Sequence, residues 1–141
     1  IEDIMIPWNK VEYIDVSFSF TEVMKVCHET GHTRIPAVEK NSVVGFLHTK
    51  QFLSGYYLNG TSFWQQFISS MIEVHVASNP FEVLKLLQKN KNHMALVKND
   101  IGESVGIITL EDILETVFGE IGDEDDDIVR IRKLNSMRGH F

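Results

Sequence analysis

Cysteine is nearly absent: Cys27 stands alone among 141 residues. One cysteine excludes an internal disulfide, and its place in an apolar helical position predicts a small core residue in a reducing compartment. Long hydrophobic runs are missing too. No stretch approaches the ~18 consecutive apolar residues that would cross a bilayer. The N-terminus lacks a basic-then-apolar leader, so a soluble chain is expected, although its start at Ile1 fits a piece cut from something longer. Basic residues are outnumbered, with 13 Lys and Arg against 20 Asp and Glu and a formal net charge of -7. That balance argues against a nucleic-acid surface, which needs clustered cations. What is present is apolar substance. With 43% hydrophobic residues the chain can bury a real core, either as one domain or as two small halves. The charge is uneven: residues 123–127 read DEDDD, and Arg130, Arg132, Lys133 and Arg138 follow.

Periodicity shows a duplication. In the first half VEYIDV (11–16) reads as a strand, and TEVMKVCHET (21–30) places Phe20, Val23, Met24 and Cys27 on one helical face. RIPAV (34–38) and VVGFL (43–47) are strands around the turn EKNS, and a helix follows with Phe52, Leu53, Tyr56 and Tyr57. The second half repeats the order. IEVHVA (72–77) is a strand, PFEVLKLLQK (80–89) a helix opened by proline, and HMALV (93–97) and VGIIT (105–109) a hairpin. LEDILETVFGEI closes it with the stripe Ile113, Leu114, Val117, Phe118 and Ile121. Gly45 and Gly106 both follow a valine in the third strand of their halves. The fold class is α+β: two βαββα repeats packed pseudo-symmetrically around a cleft, because neither half can cover its own sheet.

The stretch VGIITLED (105–112) has two readings. Thr109 can cap a helix while Asp112 bonds back to complete a capping box. The same helix start aims free N–H groups at an arriving anion. Other motifs are weaker. HETGH (28–32) fits the zinc pattern H-E-x-x-H formally, but Gly31 and the strand after it end the helix too early for both histidines to share a face. DEDDD reads as a solvated acidic linker, since no calcium-loop spacing is present. No nucleophile, base and acid converge, so no enzyme is expected.

The stretches DIMIP (3–7), GHTRIPAV (31–38), NHMALV (92–97) and GIITLEDILETVFGEIGDEDD (106–126) resemble a tandem pair of cystathionine-β-synthase (CBS) domains. More narrowly, the chain resembles the cytosolic pair of the CorC/HlyC and CNNM type of magnesium and cobalt transport protein. The resemblance implies a first CBS domain over 1–66, a second over 67–124, and an acidic linker with the start of a truncated further domain over 125–141. It implies an adenine nucleotide, ATP or AMP with Mg²⁺, held in the cleft. The signature Asp would accept from the ribose hydroxyls and the Thr would meet ribose or phosphate, which selects Thr109 and Asp112. Gly106 would let backbone approach closely. His93, Met94, Ala95 and Val74 would wall the site, and Arg34 would reach a phosphate. No resident metal ligands and no nucleic-acid partner are implied.

The first half departs from the signature. His48 stands where Thr is expected and Gln51 where Asp is expected. Relatives often carry a Thr and an Arg around the first proline, where this chain has Ile6, Pro7 and Trp8. One good nucleotide site, in the second half, is therefore expected. The implied role is regulatory: a module on the cytoplasmic face of the inner membrane, covalently linked to a membrane domain and forming a homodimer through its helices, with the 113–121 stripe as a candidate surface. The alternative is a structural dimerisation module of the same family that has lost its ligand, favoured by His48, Gln51 and Trp8.

Overall fold

The computed structural model of the chain describes residues 1–59 and 63–121. The expected acidic linker, 125–141, lies outside the described residues. In chain order the elements are β1 (Ile6–Pro7), β2 (Ile14–Asp15), α1 (Phe20–Thr30), β3 (Arg34–Glu39), β4 (Ser42–His48), α2 (Thr49–Asn59), β5 (Ile68–Ser69), β6 (Ile72–His75), α3 (Pro80–Lys89), β7 (Met94–Lys98), β8 (Ser104–Thr109) and α4 (Leu110–Ile121). Short 3-10 turns occupy Trp8–Lys10 and Trp64–Phe67. Over the described residues the protein is α+β, with four α-helices and two four-stranded sheets. No helix among the described residues is long and apolar enough to cross a membrane.

Two compact units result. One runs from Lys10 to Met71; the other joins Ile1–Asn9 to the chain from Ile72 onward. In the Lys10–Met71 unit the strand order is β2-β3-β4-β5, and in the other it is β1-β8-β7-β6. Each sheet has one parallel pair, β2 with β3 and β6 with β7, spanned by α1 or α3. A parallel pair needs such a crossover, whereas an antiparallel pair needs only a turn. Both hairpins slip register at matching places, between Ala37 and Val38 and between Val97 and Lys98.

The division differs from the expected 1–66 and 67–124 in two short segments. β1 precedes the first repeat but pairs antiparallel with β8 of the second, Ile6 facing Ile107 and Pro7 facing Gly106. β5 precedes the second repeat but pairs antiparallel with β4 of the first, Phe46 facing Ser69 and Leu47 facing Ile68. Each repeat's lead-in thus completes the other repeat's sheet. Both lead-ins are two residues long, too short to alternate visibly in sequence.

Local chemistry sets the helix bounds. Ser19 Oγ accepts from the Glu22 N–H at 3.2 Å, and Glu22 Oε1 accepts from the Ser19 N–H at 3.1 Å, a complete capping box for α1. Gly31 ends that helix in the left-handed region, φ 66°, with its N–H on the Cys27 carbonyl. Glycine adopts this conformation without a Cβ clash. His28 and His32 therefore fall on opposite sides of the helix end, and His32 Nε2 lies 3.2 Å from Glu12 Oε1. Among the described residues no group of three or more His, Cys, Asp and Glu could hold a metal ion. In α3, Asn79 Oδ1 accepts from the Phe81 N–H at 2.8 Å, and Pro80 opens the helix.

Each unit has its own core. Ile14, Val23, Ile35, Leu47, Phe52 and Trp64 fill the Lys10–Met71 unit. Phe52 packs against Phe20 and Phe67, and the Trp64 indole N–H donates to the Phe18 carbonyl at 2.7 Å. Cys27 is half-buried against this core, and burial pushes its thiol pKa up, consistent with packing rather than reactivity. In the other unit Val83, Leu87, Val97, Ile108, Ile113 and Val117 form the centre. The 113–121 stripe thus faces inward: Ile113, Leu114 and Val117 belong to this core and Phe118 packs on it. Ile113, Leu114 and Val117 are thereby taken up by the core.

Candidate functional site

The second repeat concentrates the residues of interest where β8 runs into α4. Thr109 is the last residue of β8 and faces Met94 across the β7–β8 pair. The Leu110 N–H donates to the His93 carbonyl at 2.8 Å, so the start of β7 is bound to the start of the helix. The Asp112 N–H donates to Thr109 Oγ1 at 3.2 Å. This is one half of the expected capping box. The return bond is not made, and the Asp112 carboxylate forms no hydrogen bond or ion pair within the described residues.

That geometry leaves two polar groups available side by side. A hydroxyl has one donor and two acceptor lone pairs. The cap uses one lone pair of Thr109, so its O–H is free to donate. The Asp112 carboxylate, half-exposed, is an acceptor for two adjacent hydroxyls. His93 flanks the pair, with Nδ1 3.9 Å from Glu111 Oε1.

The other expected residues fall elsewhere. Met94, 8% exposed, borders the pair through its register with Thr109. Val74 and Ala95 belong to the core, and Ala95 has no exposed surface. Gly106 does permit a close backbone approach, but the approaching backbone is the chain's own. A Cβ there would lie 2.5 Å from the Ile6 carbonyl oxygen of β1. Gly45 plays the same part against β5, where a Cβ would collide with the Ser69 carbonyl. Arg34 belongs to the Lys10–Met71 unit, at the start of β3 and facing His48 on β4.

The first repeat builds the same junction from different chemistry. The Thr49 N–H donates to the Thr33 carbonyl at 2.9 Å, the counterpart of Leu110 on His93. The Gln51 N–H donates to His48 Nδ1 at 3.4 Å, the counterpart of Asp112 on Thr109. A histidine ring nitrogen therefore replaces a hydroxyl as the cap. Burial lowers the His48 pKa from its ordinary 6.5, with the Arg34 and Lys50 charges adding to the effect. No acid stands in the first turn of α2, whereas Glu111 and Asp112 both do in α4. Sequence reasoning identified His48 as a departure and missed that it caps.

The family model for the CBS domain matches residues 1–57 and 68–119. UPF0053 protein YrkA of Bacillus subtilis is 33% identical over 143 residues, covering 95% of this chain and 33% of its own length. The magnesium and cobalt efflux protein CorC of Buchnera aphidicola subsp. Schizaphis graminum is 32% identical over 139 residues, covering 95% of this chain and 48% of its own. The chain therefore spans less than half the length of these relatives. A solved CBS domain of a bacterial CNNM/CorC family Mg²⁺ transporter, in complex with ATP, superposes with a TM-score of 0.75 at 25% identity. It covers 84% of this chain and 86% of that one. Two matched segments, one per repeat, together with the duplicated β–α junctions, place the chain in the CBS-domain family as a tandem pair similar to those of CorC/CNNM-type proteins.

Proposed function

We propose that this pair is a regulatory, non-catalytic module that binds an adenine nucleotide through the second repeat and tunes a divalent-cation transport protein of the CorC type. The observation that carries this reading is the unengaged Asp112 carboxylate beside the Thr109 hydroxyl. In a bound nucleotide the carboxylate would accept from both ribose hydroxyls, and charge-assisted bonds of this kind are the stronger ones. Thr109 would donate its O–H to a ribose or phosphate oxygen. His93 and Met94 would flank the nucleoside. The ATP complex of the similar CBS domain supports the ligand class. Mg²⁺ would enter with the phosphates.

Binding regulates only through a difference in affinity between two arrangements of the module. In the whole protein the module would lie on the cytoplasmic face of the membrane, linked to a membrane domain, and pair with a second copy. With the α4 stripe in the core, α2 offers the apolar surface for that pairing, through exposed Leu53, Tyr56 and Tyr57. The alternative, a structural dimerisation module without a ligand, is favoured by His48 and Gln51, which keep the helix start while discarding the ribose chemistry.

Thermal unfolding with ATP, with and without Mg²⁺, separates the two. A ligand at about 100 times its Kd adds ~2.7 kcal/mol to folding stability. An unchanged melting temperature at saturating nucleotide would leave the dimerisation reading. Undiminished binding by Asp112→Ala would instead move the site away from Asp112.

A further inference from the structure

We infer that the first repeat carries a proton-sensitive helix start: His48 caps α2 only while its imidazole is neutral, so acidification releases the beginning of α2 and leaves α4 untouched. Three observations converge. The Gln51 N–H donates to His48 Nδ1, which requires a lone pair on that nitrogen and places the ring proton on Nε2. The equivalent bond in the second repeat ends on Thr109 Oγ1, which does not titrate in this range. The charged groups facing His48 are Arg34, directly across the β3–β4 pair, and Lys50 on α2 itself, both cationic. A proton on His48 therefore removes the acceptor and adds a third positive charge beside two others and beside the positive end of the α2 dipole.

The direction follows from the same groups. Burial, reinforced by Arg34 and Lys50, holds the folded His48 below its ordinary pKa. As the pH falls, the unfolded chain takes up this proton before the folded chain does. The contribution of the neutral cap is complete above the ordinary histidine value and is lost as the pH falls through the depressed one. The effect reaches the core at once, because Phe52 follows Gln51, is fully buried, and packs on Phe20 and Phe67. The junction is held in part by Thr49 as well, whose Oγ1 donates to the Thr33 carbonyl at 3.3 Å, so release is confined to the first turn.

Nuclear magnetic resonance on the full chain tests this at the atoms concerned. Imidazole ¹⁵N shifts at neutral pH are expected to show His48 protonated on Nε2 and bare on Nδ1. Amide-exchange protection at Gln51 is expected to fall roughly five-fold on acidification from about pH 8 to about pH 5, while protection at Asp112 stays level. His48→Thr, which restores the residue of the second repeat, is expected to hold Gln51 protection level across the same range. A proton on Nδ1 at neutral pH overturns the inference. So does pH-independent Gln51 protection in the wild type, or an unchanged pH response in His48→Thr. The tautomer measurement needs no variant and stands even if His48→Thr folds poorly.

Discussion

The junction of β4 with α2 and the junction of β8 with α4 are two solutions to one backbone problem. Both send a strand directly into a helix, both bind the helix start to the preceding strand, and both cap the third amide with the last residue of the strand. They differ in what the cap is made of and in the side chain three residues on. His48 with Gln51 satisfies the fold; Thr109 with Asp112 satisfies the fold and leaves a carboxylate over. The fold therefore does not require an acid at the third position, and Asp112 needs another reason to be there.

The largest effects should come from emptying one core and asking whether the other notices. Phe52→Ala is expected to cost about 3–5 kcal/mol in denaturant unfolding, because Phe52 is fully buried among aromatic rings. If the exchanged lead-in strands tie the units together, Ile113→Ala in the opposite core will unfold in the same single transition as Phe52→Ala. Two separated transitions would break that picture. Next come the glycines. Gly106→Ala and Gly45→Ala each force a Cβ into the backbone of a lead-in strand, and each should cost about 1–3 kcal/mol by overpacking, with Gly45 the more severe.

Smaller effects sharpen the comparison of the caps. Thr109→Val removes the side-chain cap on α4's third amide and is expected to cost about 1 kcal/mol. Asp112→Asn should change stability by only about 0.3–0.5 kcal/mol, through the helix dipole alone, and yet abolish nucleotide-dependent thermal stabilisation. Glu22→Gln keeps an acceptor for the Ser19 N–H and should be comparably mild in urea titration. A large stability loss from Asp112→Asn would make that residue structural after all.

Much of this was legible in sequence because duplication doubles every signal. The starts of α3 and α4 follow from Pro80 and from the capping Thr109 ahead of the stripe Ile113 to Ile121, and Gly31 marks the end of α1 as glycines do. What stayed hidden was whatever depends on distant partners. β1 and β5 are extended only because β8 and β4 lie beside them. For that reason the sequence did not show that Gly106 also makes room for Ile6. The pattern Thr-x-x-Asp likewise suggests a reciprocal box, of which the structure makes only the bond from the Asp112 N–H to Thr109.

The exchange of lead-in strands also sets an order of assembly. The Lys10–Met71 unit is continuous in sequence, so all four of its strands have been synthesised once Ser69 emerges. The sheet containing β1 must wait for β8, since Ile6 has no sheet partner until Ile107 exists. Closing such a long loop is slow relative to local pairing. On a translating ribosome, where N-terminal parts fold first, the unit with the histidine cap should be complete while the β1 segment still waits, held in reserve for the last sheet to form.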